Sequence, residues 1–115
     1  MGIQLIETRE QFSKLNDKTS FFLLKHSLTC PISGEAKDQY ESFAANTSVP
    51  LYMLHVQEAR PLSNEIAEQY KVKHESPQAL LFSEGKIIWN ASHWDITENT
   101  LKEVEEQYVT QKEPK

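Results

Sequence analysis

One sequence feature limits most strongly what this chain can fold into. A short apolar run leads directly into a polar turn that opens a helix. Residues 21–24 (FFLL) form a continuous apolar segment of the length expected for a strand buried on both faces of a sheet. Residues 27–33 (SLTCPIS) follow closely and open an amphipathic helix. We therefore expect a central strand whose carboxyl end turns straight into a helix.

The only cysteine, Cys30, lies in this turn. Unpaired N–H groups and the helix dipole stabilise a thiolate there, and they lower a thiol pKa from about 8.5 to roughly 3.5 to 7.5. Cys-Pro-Ile-Ser has the spacing of a redox C-x-x-C motif in which Ser33 replaces the second sulfur. Pro31 suits a first helical turn, and polar Thr29 and Ser33 argue against burial in a core. The alternative is a small buried hydrophobe without chemistry. The pattern favours a reactive Cys30.

Length and charge limit the class of protein. The 115 residues predict one domain over residues 1–110, with residues 111–115 as a frayed C-terminal tail. A net charge of −5 makes nucleic acid and anionic membranes poor partners. With no long apolar segment and no signal-like N-terminus, we expect a cytoplasmic protein. A single cysteine cannot form an intramolecular disulfide, so oxidised Cys30 must pair with another molecule or carry an oxygen adduct.

The first 75 residues alternate between strand and helix patterns. Residues 4–6 favour a short edge strand, and Thr8 with Gln11 has the form of a capping box at the start of a helix. After the helix that opens at Cys30, residues 51–56 read as a second buried strand. Pro61 suits the first turn of the helix that follows.

A hairpin and a last helix complete the pattern. Residues 78–83 and 86–90 predict two strands joined by Glu84-Gly85, where Gly85 supplies the positive φ of a tight turn. Asp95, followed three residues later by Glu98, is predicted to cap the last helix. The order β-α-β-α-β-α-β-β-α predicts an α/β fold, with a mixed sheet of four to five strands flanked by about four helices.

This element order is that of a thioredoxin fold. In that fold the active cysteine lies at the turn after the central strand, and a cis proline begins the hairpin strand that faces it. Cys30 and Pro77 occupy those two positions in this sequence.

Four stretches carry a more specific likeness: residues 26–33, 60–64 (RPLSN), 74–78 (HESPQ) and 92–96 (SHWDI). In these the chain resembles, over nearly its whole length, the bacillithiol-system redoxins of the YtxJ type, also described as monothiol bacilliredoxins. The resemblance implies a cytosolic thiol-disulfide oxidoreductase of low-GC Gram-positive bacteria that removes bacillithiol from S-bacillithiolated proteins. Bacillithiol would be a co-substrate, with no permanently bound cofactor. The residues alone indicate a monothiol thioredoxin-like protein.

The implied reaction assigns roles to individual residues. Cys30 would attack the bacillithiol sulfur, and an external thiol would resolve the product because Ser33 cannot. Ser33 either donates a hydrogen bond to the thiolate or serves as an ordinary first-turn residue. Trp94 either forms an apolar wall for the ligand or packs onto the last helix. The full set of predicted substrate-binding residues is Thr29, Pro31, Ser33, Ser76, Pro77 and Trp94. The predicted cations for the bacillithiol carboxylates are Lys25, Lys37 and Arg60.

Other chemistries remain open at this point. The four histidines show no His-x-x-x-His pair, so no metal site is expected. His26 is either a packed neutral imidazole or a group that stabilises the Cys30 thiolate. Two alternative functions are a monothiol iron-sulfur carrier and a non-enzymatic thioredoxin-fold binding module. We expect a monomer whose partners are S-bacillithiolated proteins and free bacillithiol.

Overall fold

A computed structural model describes residues 3–15, 20–29 and 31–110. The predicted order of elements is confirmed. Cys30, the predicted end of the first helix at residues 16–18 and the predicted tail at residues 111–115 lie outside the described residues. The elements are β1 (Ile3–Leu5), α1 (Arg9–Leu15), β2 (Ser20–His26), α2 (Pro31–Ala44), β3 (Leu51–His55), α3 (Arg60–Tyr70), β4 (Gln78–Ser83), β5 (Lys86–Ser92), a 3-10 turn (His93–Asp95), α4 (Glu98–Val104) and a π-helical continuation (Glu105–Thr110).

The five strands form one mixed sheet in the order β1-β3-β2-β4-β5. Strand β3 runs parallel to both β1 and β2, whereas β2 and β5 each run antiparallel to β4. Strand β2 is the middle strand, and every residue from 21 to 26 is buried. The prediction that residues 21–24 form the central strand is therefore confirmed, and so is the edge position of β1.

The alternation of side chains along β2 builds two cores, one on each face of the sheet. Phe22 and Leu24 belong to the core formed with α2 and α4, where Tyr40 and Phe43 are fully buried. The other face of β2 contributes to a second core with α1 and α3. Burying one such side chain is worth about 1.5 to 3 kcal/mol, so both faces of β2 stabilise its position.

One predicted helix cap is confirmed and another is wrong. At α1 the Gln11 N–H donates to Thr8 Oγ1 at 3.1 Å, and the Thr8 N–H donates to Gln11 Oε1 at 3.2 Å. The last helix is capped by Thr97, whose Oγ1 accepts from the Thr100 N–H at 3.1 Å, and not by Asp95. Asp95 belongs to the separate 3-10 turn, so the helix begins after it.

The hairpin turn agrees with its prediction. Glu84 and Gly85 have φ values of 52° and 80°, as a two-residue hairpin turn requires. Strand β5 continues to Ser92, two residues beyond the predicted end, and an irregularity in the β4–β5 pairing lies between Leu81 and Phe82. No helix in the described ranges combines the length and the apolar character needed to cross a membrane.

Candidate active site

The candidate site lies where the carboxyl end of β2 meets the beginning of β4. The antiparallel pairing of these strands ends at Lys25 and Gln78, so His26 and Pro77 are the next facing positions. The Ser76-Pro77 peptide bond is cis. Cys30 itself lies outside the described residues, between Thr29 and the first residue of α2. The register thus places the carboxyl end of β2 next to the Ser76-Pro77 segment, and the facing of Cys30 and Pro77 stays a prediction.

A buried serine in the first turn of α2 is hydrogen-bonded to the turn at residues 27–29. Ser33 is fully buried, and its Oγ accepts a hydrogen bond from the Ser27 N–H at 3.2 Å. Ser33, which stands where a C-x-x-C motif has its second cysteine, therefore helps to fix the conformation of this turn. Its predicted hydrogen bond to a Cys30 thiolate stays a prediction.

Gln57, which the sequence analysis missed, holds the same turn from the loop after β3. Its Oε1 accepts from the Leu28 N–H at 3.0 Å, and its Nε2 donates to Ser27 Oγ at 2.9 Å and Thr29 Oγ1 at 3.3 Å. Nothing in the local sequence marks this residue, because its partners lie 28 to 30 positions away. The parallel pairing of β2 with β3 brings the segments that follow the two strands together, and the contact becomes apparent only from that pairing.

Two exposed apolar side chains flank the site. Trp94 is 67% exposed, so the alternative in which it packs onto the last helix is wrong. The 3-10 turn that carries Trp94 is joined to the proline segment, because the His93 N–H donates to the Pro77 carbonyl oxygen at 3.0 Å. Leu28, in the turn before Cys30, is 49% exposed and was also missed from sequence. Both side chains offer apolar surface next to the site.

Lys25 is fully buried on the face of β2 that packs against α3. Its Nζ donates to the Ser63 carbonyl oxygen at 3.0 Å and lies 3.3 Å from His74 Nδ1. Burial lowers the pKa of Lys25 to about 8. The prediction that Lys25 binds a ligand carboxylate is wrong, because its ammonium group is enclosed by the protein.

The two remaining predicted cations differ in their surroundings. Lys37 forms an ion pair with Glu41 at 3.4 Å along α2. Arg60 is exposed at the start of α3. The pKa of His74 is lowered by burial first, then by the charges of Lys25 and Arg60. Arg60 is therefore close to the loop that leads to Ser76 and Pro77.

His26 matches the description of a packed neutral imidazole. It is 8% exposed, and its pKa is lowered by burial first and then by His55, whose ring centroid is 5.5 Å away, and by Lys37. A neutral ring at pH 7 adds no positive charge to the site. Within the described ranges its Nδ1 has no hydrogen-bond partner, and no group of three His, Cys, Asp or Glu side chains is placed to hold a metal ion.

Comparisons with known proteins bear on the family and the fold of this chain. A family model described as monothiol bacilliredoxin BrxC matches residues 2–101. A solved structure described as a provisionally assigned oxidoreductase with a thioredoxin fold is 40% identical, with 90% of this chain and 93% of that chain covered and a TM-score of 0.84.

Two thioredoxins share the fold at much lower identity. A mutant thioredoxin from Halobacterium salinarum NRC-1 is 18% identical, with 94% of this chain and 91% of that chain covered and a TM-score of 0.76. The thioredoxin of Malassezia sympodialis is also 18% identical, with coverages of 94% and 92% and a TM-score of 0.74. These two similarities show the thioredoxin fold alone.

The buried Lys25 predicts a specific pH dependence of stability. Its pKa is about 8 in the folded protein against a usual 10.5, so between these values the unfolded chain binds more protons. The free energy of unfolding should therefore rise with pH in this range, by up to about 2 to 3 kcal/mol. We expect the wild type to gain this stability relative to Lys25→Met between pH 8 and about 10, as measured by urea denaturation. A constant difference between the two proteins would contradict the lowered pKa.

Proposed function

Because the chain belongs to the monothiol bacilliredoxin family, we propose that it removes bacillithiol from S-bacillithiolated proteins by thiol-disulfide exchange through Cys30. The observation that carries the proposal is that the only cysteine directly precedes α2 in the sequence, in a thioredoxin fold whose Ser76-Pro77 peptide bond is cis. A helix N-terminus favours the thiolate that such an exchange needs.

The proposed exchange has two steps. The Cys30 thiolate attacks the bacillithiol sulfur of the mixed disulfide, the original S–S bond breaks, and the client cysteine leaves as a thiolate that takes up a proton. A new S–S bond now joins Cys30 to bacillithiol. The thiolate of a second bacillithiol attacks that bond, which gives bacillithiol disulfide and returns Cys30 to its thiolate form. The bacillithiol disulfide must then be reduced by a separate reductase.

An external resolving thiol is proposed because the chain has no internal one. Ser33 occupies the position of the second cysteine in a dithiol motif, and a hydroxyl cannot attack a disulfide at neutral pH. Its Oγ also accepts the Ser27 N–H, so the serine supports the geometry of the turn.

We propose that substrates bind along the segment before β4. Ser76 lies beyond the last β2–β4 pair, which supports the proposal that its backbone pairs with an extended client segment as a strand edge would. Pro77, Thr29 and Pro31 would border the reacting sulfurs, and Trp94 would cover the client or the bacillithiol from the side.

The co-substrate and the setting are part of the same proposal. Bacillithiol acts as a co-substrate, with no permanently bound cofactor, and the exposed Arg60 is the side chain we propose for its carboxylates. The proposed partners are S-bacillithiolated proteins of the cytoplasm and free bacillithiol, and the protein acts as a monomer. Neither nucleic acid nor a membrane has a role.

Intact mass spectrometry tests the first step directly. Wild type and Cys30→Ser are each mixed with a bacillithiolated protein in the absence of free thiol. We expect the client to lose the mass of one bacillithiol and only the wild type to gain it, because Cys30 is the acceptor. A client that keeps its bacillithiol, or loses it equally with the serine variant, would contradict the proposed function.

The exposed apolar side chains predict a separate effect on substrate binding. Trp94→Ala and Leu28→Ala should each raise the KM for a bacillithiolated protein, since losing an apolar contact of about 1 kcal/mol corresponds to roughly fivefold in affinity. Leu5→Ala is the matched control, because Leu5 is 43% exposed on the edge strand β1, away from the site. Equal KM values for all three variants would contradict a role for Trp94 and Leu28 in binding.

A further inference from the structure

The side-chain amide of Gln57 forms a hydrogen bond with each of the three residues that precede Cys30. We propose that Gln57 is a positioning residue for the thiol exchange: its amide fixes the turn at residues 27–29 and leaves the Thr29 hydroxyl proton free for the reacting sulfurs. This inference rests on the proposed function only in its choice of reaction. The effect on Cys30 reactivity is independent of bacillithiol.

The partners of Gln57 determine the orientation of its amide. The Leu28 N–H can only donate, so the Gln57 carbonyl oxygen must face it, and the distance is 3.0 Å. The NH₂ group then faces the hydroxyl oxygens of Ser27 and Thr29, at 2.9 and 3.3 Å. One side chain thus contacts three consecutive residues with one acceptor and two donors.

This orientation sets the direction of the hydroxyl groups. Because Thr29 Oγ1 accepts a proton from Gln57 Nε2, its own O–H is available to another acceptor. Thr29 directly precedes Cys30 in the chain, and a thiolate is such an acceptor. A hydrogen bond donated to a thiolate stabilises the charged form and lowers the thiol pKa. Gln57 would therefore act on Cys30 through Thr29.

The backbone around Gln57 is itself anchored to the site. The Val56 N–H donates to the His26 carbonyl oxygen at 2.8 Å, at the end of β2. On the other side of Gln57, the Glu58 and Ala59 N–H groups both donate to the His55 carbonyl oxygen, at 3.0 and 2.9 Å. Gln57 is exposed, yet its Cα is fixed relative to the turn that its amide holds.

Two substitutions separate the positioning role from a purely structural one. Gln57→Leu removes all three hydrogen bonds. Gln57→Glu keeps the shape and the acceptor for the Leu28 N–H, but a carboxylate obliges the Ser27 and Thr29 hydroxyls to donate toward it. The Thr29 proton is then directed away from Cys30, and the added negative charge raises the thiol pKa further. Gln69→Leu, an exposed glutamine on α3, is the matched control.

The readout is the rate of Cys30 alkylation by iodoacetamide as a function of pH, followed by intact mass. We expect both Gln57 variants to shift the pH profile upward and to slow alkylation near neutral pH by about three- to tenfold, the range of one lost hydrogen bond. Gln57→Glu should be affected at least as strongly as Gln57→Leu, although it is nearly isosteric. Gln69→Leu should follow the wild-type profile.

A double-mutant cycle tests the route through Thr29. If Gln57 acts through the Thr29 hydroxyl, Gln57→Leu should have little further effect on alkylation in a Thr29→Val background. Additive effects in this cycle would overturn the proposed route.

Thermal melting of each variant provides the structural comparison. Gln57 variants that melt at lower temperature but keep the wild-type alkylation profile would show that the residue only stabilises the fold, and they would overturn the proposal. Since iodoacetamide requires no bacillithiol, a failure of the proposed function and a failure of this inference give different results.

Discussion

The burial of β2 on both faces is the constraint on which the rest of the structure depends. Its apolar residues alternate between a core with α2 and α4 and a core with α1 and α3, so a one-residue shift in register would move every side chain into the opposite core and disrupt the packing of both. Because β2 is fixed at the centre of the sheet, its carboxyl end lies next to the start of β4, where Pro77 precedes Gln78. The thiol chemistry is therefore positioned by hydrophobic packing.

Buried polar groups gather at the same end of the sheet. Burying a polar group costs free energy unless it is hydrogen-bonded, and here most of the burial is compensated by specific contacts between elements. Lys25 joins β2 to α3 and the loop before β4, and Ser33 joins α2 to the turn. These contacts restrict the relative positions of the elements around the site more tightly than apolar packing alone would. The buried polar side chains are Lys25, His26, Ser27, Ser33, Ser63 and Gln78.

Local patterns in the sequence predicted most of the fold, and they failed where a contact joins distant residues. The central strand, the Thr8 cap and the Glu84-Gly85 turn depend on neighbours within a few positions, so their signals are visible in the chain. Asp95 was a plausible cap by spacing, but a separate 3-10 turn ends there and Thr97 caps the helix. Lys25 is buried because α3 supplies a carbonyl oxygen, and Gln57 reaches its partners across the β2–β3 pair. Neither contact leaves a local signal.

In the proposed reaction, one sulfur carries the bacillithiol between a client and an external thiol. The most direct measurement is initial-rate kinetics of wild-type protein with the bacillithiolated client and free bacillithiol both varied. A relay through a Cys30 mixed disulfide predicts ping-pong kinetics, seen as parallel lines in double-reciprocal plots. Intersecting lines would mean that both substrates must bind before any reaction occurs, and they would contradict a one-sulfur relay.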